Sequence, residues 1–245
     1  MIKFKKDNMY FGLTVPDYEI GNFGYKVGEL RKIDSVGTFD DIIAYCISND
    51  ILSCTFRGKE DINIVRYLNS IGFQFVSTFY TLSCDRDEFK RIDIDNDLNV
   101  IEATKNDFDR ILEIESKVFD YSTYQIDPLF PNDITSKRNV KRVSFYFPNP
   151  DHHTFIIMKD NLILGFIQCV YDKGIVHYVN GAVDPDFHER FVGTKMYSES
   201  FLSVFNSGID KILSGVSAQN TRALKIHMAT GFRIIDQEIH LRWKK

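Results

Sequence analysis

Residues 179–201 read VNGAVDPDFHERFVGTKMYSESF. The stretch opens as a strand that ends at Val183 and Asp184, turns at Pro185, crosses a short loop and enters a helix predicted from Arg190 to Asn206. A strand that feeds a loop and then a helix start leaves several backbone N–H groups without intrahelical partners, beside the positive end of the helix dipole. Phosphate is the ligand such a place suits. The fold is therefore α/β, and its ligand is sought at this loop.

Working outward, the residues before this stretch read as antiparallel sheet: TFIIMKD from Thr154, NLILGFIQCVYD from Asn161 and KGIVHYVNGAVDP from Lys173. Asp160-Asn161 and Lys173-Gly174 supply the turns between the apolar runs. After it come the strand KILSGVSA (211–218), the helix TRALKIHMAT (221–230) and a last strand near RIIDQEIHLRW (233–243). Between residues 99 and 119, NVIEATKNDFDRILEIESKVF is a short strand and an amphipathic helix. Phe108, Ile111, Leu112, Ile114, Glu115 and Val118 form its mostly apolar stripe. The segment DYSTYQIDPLFPNDITSKRNVKRVSFYFPNPDHH (120–153) is a helix set in long, proline-containing loops, the kind of place where substrates bind.

The N-terminal part reads as a smaller α/β unit, with strands ILSCTFR (51–57) and FQFVSTFYTL (73–82) flanking a helix in EDINIVRYLNSIG (60–72). Asp61 supplies its N-terminal charge and Gly72 its stop. The charged stretch CDRDEFKRIDIDNDLN (84–99) marks a boundary, which divides the chain into domains 1–96 and 97–245.

Composition excludes several classes of function. Acidic residues (34) slightly outnumber basic ones (30), and the basic ones are scattered, which argues against a nucleic-acid partner. No long apolar run suggests a membrane span, and no signal-type h-region follows the N-terminus, so a cytoplasmic protein is expected. Cys46, Cys54, Cys84 and Cys169 lie far apart, so buried reduced thiols are expected rather than a metal site or disulfides.

Two stretches carry a family resemblance. The first, with Val183, Pro185, His188, Phe191 and Gly193, resembles the acetyl-CoA signature of the GNAT superfamily of N-acyltransferases. That signature has Arg or Gln where His188 stands and glycine where Phe191 stands. The second, NTRALKIHMATGF (220–232), is similar to the superfamily's N-x-x-A-x-x-x-Y-x-x-x-G-F segment, matching at Asn220, Ala223, Gly231 and Phe232. The resemblance implies a GNAT fold: a mixed, mostly antiparallel sheet with a splayed strand pair and flanking helices, preceded by a smaller degenerate GNAT-like domain.

It also implies acyl-CoA, either acetyl-CoA or 3-hydroxybutyryl-CoA, as co-substrate and no metal. Gly181, Ala182 and Val183 would pair with pantetheine, and His188, Glu189, Arg190, Phe191, Val192, Gly193 and Thr194 would line the pyrophosphate loop. Asn220 and Ala223 would lie along the pantetheine arm. Where relatives place a tyrosine to protonate the departing sulfur, this chain has His227. An imidazole can donate that proton; it can equally hydrogen-bond a neighbouring strand. His177, eleven residues before His188, stands where histone-acetylating relatives carry a base. Glu115 and Asp172 are further candidates for that role.

The two-part layout resembles bacterial nucleotide-sugar N-acyltransferases of the TDP-fucosamine acetyltransferase type. This implies a dTDP-linked 3- or 4-amino-dideoxyhexose, used for cell-surface polysaccharide, as acceptor. Tyr121, Tyr124 and Phe130 offer stacking faces near the cations Arg138 and Arg142, with Lys137 and Lys141 alongside. A peptide amine as acceptor and a non-catalytic CoA-binding module are the other two readings, and a homodimer is compatible with all of them.

Overall fold

The computed structural model describes residues 1–33, 41–94, 97–118, 121–122, 124–128, 130–147, 151–187 and 191–245. Two compact units are built from interleaved pieces of chain. The first holds 1–79, 122–135 and 237–245; the second holds 80–121 and 136–236. This differs from the single join expected at 96/97, because two long strands, β5 (Gln74–Asp85) and β11 (Arg233–Lys244), each serve both units.

In the first unit, β1 (Ile2–Lys6), β2 (Met9–Thr14) and β3 (Lys26–Lys32) form an antiparallel meander. The chain then crosses through α2 (Ile42–Ser48) to β4 (Ile51–Gly58), which is parallel to β3, and β11 returns antiparallel to β4. Helix α1 (Asp17–Phe23) lies between β2 and β3 and ends at Gly24. Helix α3 (Ile62–Ser70) begins where the sequence predicts: the Asp61 carboxylate accepts from the N–H groups of Asn63 and Ile64. Phe11, Leu30, Cys54, Phe56, Ile64, Leu68, Leu241 and Trp243 are among the residues of one apolar core.

β4 and β11 put their other residues on the opposite face. Ser53, Thr55, His240 and Arg242 are buried there. Arg242 is fully enclosed: its Nε lies 2.9 Å from Asp127, and its guanidinium is 4.6 Å from the Tyr124 ring and 4.4 Å from the Phe130 ring. Phe23 packs on both rings. A buried guanidinium needs a counter-charge, and stacking on aromatic faces is how a weakly hydrated planar cation tolerates burial.

In the second unit the strand order is β5, β10 (Lys211–Ser217), β9 (Ile175–Val183), β8 (Leu162–Asp172), β7 (His152–Lys159), β6 (Asn99–Glu102). β6 to β9 are antiparallel, and β9 and β10 are parallel. The two-residue turns fall at 160–161 and 173–174 as read from the sequence, with φ of +47° and +66° in the first and +48° and +84° in the second. That is the turn whose twist matches paired strands.

Helices α4 (Phe108–Lys117) and α5 (Asn132–Tyr146) carry Ile111, Ile114 and Val143 into one core, with Phe166 and Ala182 from the sheet. Helices α6 (Val192–Asn206) and α7 (Thr221–Ala229) serve the other core, which includes Met196, Phe201, Val204, Tyr178 and Phe232. The four cysteines are free and buried. No helix among the described residues is long and apolar enough to cross a membrane.

Candidate active site

Strand β9 sets the geometry. Its ladder with β10 runs from Ile175–Lys211 to Tyr178–Ser214, while its pairing with β8 continues to Val183. From Val179 to Val183 the β10 side of the strand is therefore outside the ladder. At the same place β9 carries one extra residue: Tyr178 pairs with Cys169 and Asn180 with Gln168, so Val179 has no opposite number. Such a bulge reverses which residues face which side. Tyr178 packs against Phe201 of α6, whereas Asn180, two residues on, reaches Glu115 and Arg142 on α4 and α5.

The strand's end is pinned. Asp184 is buried and ion-pairs with Arg110 of α4, while Lys117 bridges Asp186 at 2.8 Å and Glu113 at 2.7 Å. The Asp184 carboxylate also accepts the Asp186 N–H at 2.9 Å, which tightens the turn after Pro185. Helix α6 begins at Val192. Its cap, Phe191, is exposed and has φ of +68°. That conformation favours glycine, which accounts for the glycine of the family pattern at this position. At Gly193 an added Cβ would stand 3.7 Å from Val183 and 3.9 Å from Ile226, ordinary contacts that fit a glycine-or-alanine position. Val192 is buried and Thr194 half-buried. His188, Glu189 and Arg190, assigned to the pyrophosphate loop, lie outside the described residues.

Asn220 caps α7, its side-chain oxygen accepting from the Ala223 N–H at 3.1 Å. Gly231 ends the same motif with φ of +98°, and a Cβ there would stand 2.2 Å from the Glu88 carbonyl oxygen, so no other residue fits. His227 is wholly buried. Its Nδ1–H donates to the Ala223 carbonyl at 2.8 Å, so in the neutral ring Nε2 accepts, here from the Ser214 hydroxyl at 2.9 Å. Burial pulls its pKa down to about 4. A neutral ring whose only N–H is committed to a main-chain carbonyl has no proton to give to sulfur. The geometry corresponds to the other role read from the sequence, a hydrogen bond to a neighbouring strand. The rings of Tyr197, Phe201 and Phe232 enclose it at 5.0, 5.6 and 4.9 Å between centroids.

His177 is half-buried on β9, opposite Val170 of β8 and Leu213 of β10. Glu115 is fully buried: Asn180 Nδ2 donates to it at 3.2 Å, and Arg142, which also donates to Asn180 Oδ1 at 3.2 Å, lies 3.6 Å from its other oxygen. The three side chains close a ring on the sheet face. The sequence hinted at it, because Glu115 is an acid within an apolar helical stripe. Asn180 was not singled out there, since its direction depends on the bulge.

The acceptor residues are dispersed. Arg138 and Arg142 are half-buried on α5, and Tyr121 is exposed. Tyr124 and Phe130 belong to the first unit, 2% and 4% exposed, with Arg242 against their faces. Rings so enclosed have no face left for a nucleobase, which corrects the stacking role expected of them. Among the described residues no cluster of His, Cys, Asp or Glu could hold a metal ion.

Residues 113–232 match the model of the acetyltransferase (GNAT) family. A conserved protein of unknown function from Staphylococcus epidermidis matches with a TM-score of 0.67 at 9% identity, over 98% of this chain and 92% of its own. A GCN5-related N-acetyltransferase from Sphaerobacter thermophilus matches with a TM-score of 0.66 at 10% identity, over 97% and 76%. A tandem GNAT protein from the clavulanic acid biosynthesis pathway gives 0.61 at 9% identity, over 96% and 78%. At these identities the likeness is one of fold. No curated protein sequence matches the chain.

Proposed function

Because residues 113–232 match the model of the acetyltransferase (GNAT) family, we propose that the chain is an acyl-CoA-dependent N-acyltransferase whose acceptor is a dTDP-linked 3- or 4-amino-dideoxyhexose. The observation that carries the transferase reading is the end of the β9–β10 ladder at Tyr178–Ser214, directly before Gly181, Ala182 and Val183 and one turn ahead of α6. A pantetheine arm lies there as an added strand, hydrogen-bonding the backbone that β10 leaves outside the ladder. Its diphosphate meets the N–H groups of Val192, Gly193 and Thr194, to which the α6 dipole adds.

The attacking amine must be neutral, and its proton leaves to His177 or to water ordered near it. A β9 backbone N–H serves the thioester oxygen as it gains charge. The acyl group is acetyl or a short hydroxyacyl such as 3-hydroxybutyryl. The nucleotide-sugar part of the proposal rests on the cations of α5, Arg138 and Arg142, with Lys137 and Lys141 exposed beside them. The burial of Tyr124 and Phe130 removes its aromatic support.

Thiol release from acetyl-CoA and 3-hydroxybutyryl-CoA, measured with dTDP-3-amino sugars, dTDP-4-amino sugars and peptide amines, tests both parts. Turnover with one sugar supports the full proposal. Turnover with peptides alone retains the transferase and replaces the acceptor, and CoA binding without any turnover sinks the enzyme reading.

A further inference from the structure

The family's sulfur-facing hydroxyl is missing from α7, where His227 stands, and both His227 nitrogens are engaged. Another hydroxyl, on the second unit's helix α6, reaches the part of β9 that lies outside the ladder. Tyr197 of α6 lies one turn beyond Gly193, and its ring rests against His227 at 5.0 Å. Its hydroxyl reaches the sheet at Gly181: a side-chain carbon there would stand 3.1 Å from Tyr197 Oη.

Two further facts bear on this phenol. Among the described residues its hydroxyl has no hydrogen-bond partner. The side chain is half-buried, which leaves its hydroxyl accessible to a ligand. Burial alone pushes its pKa up to about 12, so it stays protonated and is able to donate at any working pH. The other nearby hydroxyls are committed or remote. Ser214 donates to His227, and the Tyr178 hydroxyl, though it has no hydrogen-bond partner, is shut inside the α6-side core, away from a ligand.

We propose that Tyr197 is the hydrogen-bond donor to the departing CoA sulfur, moved from α7 to α6, and that His227 is a positioning residue that backs its ring. This rests on the acyltransferase reading above. In the reaction the acceptor nitrogen bonds to the acyl carbon, and the carbon–sulfur bond breaks with its electron pair going to sulfur. The proton shed by the nitrogen passes through solvent to the sulfur, giving the free thiol. Tyr197 donates to the sulfur while its negative charge develops and ends the cycle as it began.

The test uses the full-length protein with Tyr197→Phe, Gly181→Ala, the double variant, and Tyr171→Phe as a control. Tyr197→Phe should lower kcat by tenfold or more, on the order of what loss of one donor to a developing charge costs, with KM for acyl-CoA within about twofold of wild type. The shape of the pH–rate profile should not change, because the lost group does not titrate in that range. Gly181→Ala displaces the hydroxyl while keeping it, so it should also slow turnover, and the double variant should be no slower than the worse single one. Tyr171→Phe should behave as wild type.

A readout that needs no acceptor is the ratio of desulfo-CoA to CoA dissociation constants, measured by calorimetry. Wild type should prefer CoA about fivefold, the worth of one hydrogen bond, and Tyr197→Phe should show no preference. Additive losses in the double variant, an altered pH profile, or an unchanged rate and ratio in Tyr197→Phe would overturn the assignment while leaving the transferase intact. Wild type that neither binds CoA nor releases thiol would overturn both.

Discussion

His227 shows how much a single residue's surroundings decide. Its pKa is about 4 in the folded chain against 6.5 for a free histidine. Between those values the unfolded chain binds a proton that the folded chain does not, so the contribution is complete above pH 6.5 and is lost as pH falls towards 4. We expect wild type to lose roughly 3 kcal/mol from this group over that interval. In urea melts at stepped pH, His227→Gln should show a flatter dependence there, and an equally steep one would refute the burial argument. The sequence located this residue and offered two roles for it. The choice between them depends on the rings of Phe201 and Phe232 closing around it and on the Ser214 hydroxyl across from it, contacts that spacing along the chain does not encode. Phe191 was legible as a departure from a pattern but not as a residue with φ of +68°. Phe191→Gly relieves left-handed strain of about 1 kcal/mol while loosening the unfolded chain by a similar amount. Thermal stability should therefore change little, while KM for acyl-CoA should fall as the exposed ring leaves the helix start.

Among the elements, those with strong local signals were readable. Asp61 before α3 and the turns at 160–161 and 173–174 are dictated by capping and by positive φ, which act within a few residues. The first fifty residues were harder: α1 and α2 are seven residues each, too short to display a helical period, and β1 to β3 were not foreseen. The bulge at Val179 is also silent in HYVNGAV, since strict alternation would send Tyr178 and Asn180 to the same face. Helix α7 permits a test that separates folding from binding at one residue. Asn220 caps the helix through its side-chain oxygen, and aspartate caps as well as asparagine. Asn220→Asp should keep the melting temperature within a few degrees yet raise KM for acyl-CoA severalfold, because an amide donor has become an anion at the proposed pantetheine site. Asn220→Ala should lower stability by about 1 kcal/mol as well. Unchanged KM in both variants would confine Asn220 to capping.

For the molecule as a whole, the segment 122–135 matters most. It is flanked in sequence by parts of the second unit yet belongs to the first, held by Asp127, Tyr124 and Phe130 around Arg242. Composition pointed to a boundary near residue 97 and to a substrate loop near 121–142. It gave no sign that part of this loop packs with the N-terminal strands, because the partners lie more than a hundred residues apart. Asp127→Ala leaves the Arg242 guanidinium buried without its counter-charge and should cost about 3–5 kcal/mol in urea unfolding. Arg242→Met with Asp127→Leu should recover most of that loss, since apolar side chains of similar size fill the same space. A mild effect of Asp127→Ala would mean that water already reaches the pair. The same interleaving bears on heredity. Genes are cut and rejoined in linear blocks, yet the first unit is written in three separate passages of the message. A crossover at residue 97 would therefore assemble both units of each descendant from two parents, parting the loop before α5 from the first seventy-nine residues it packs with.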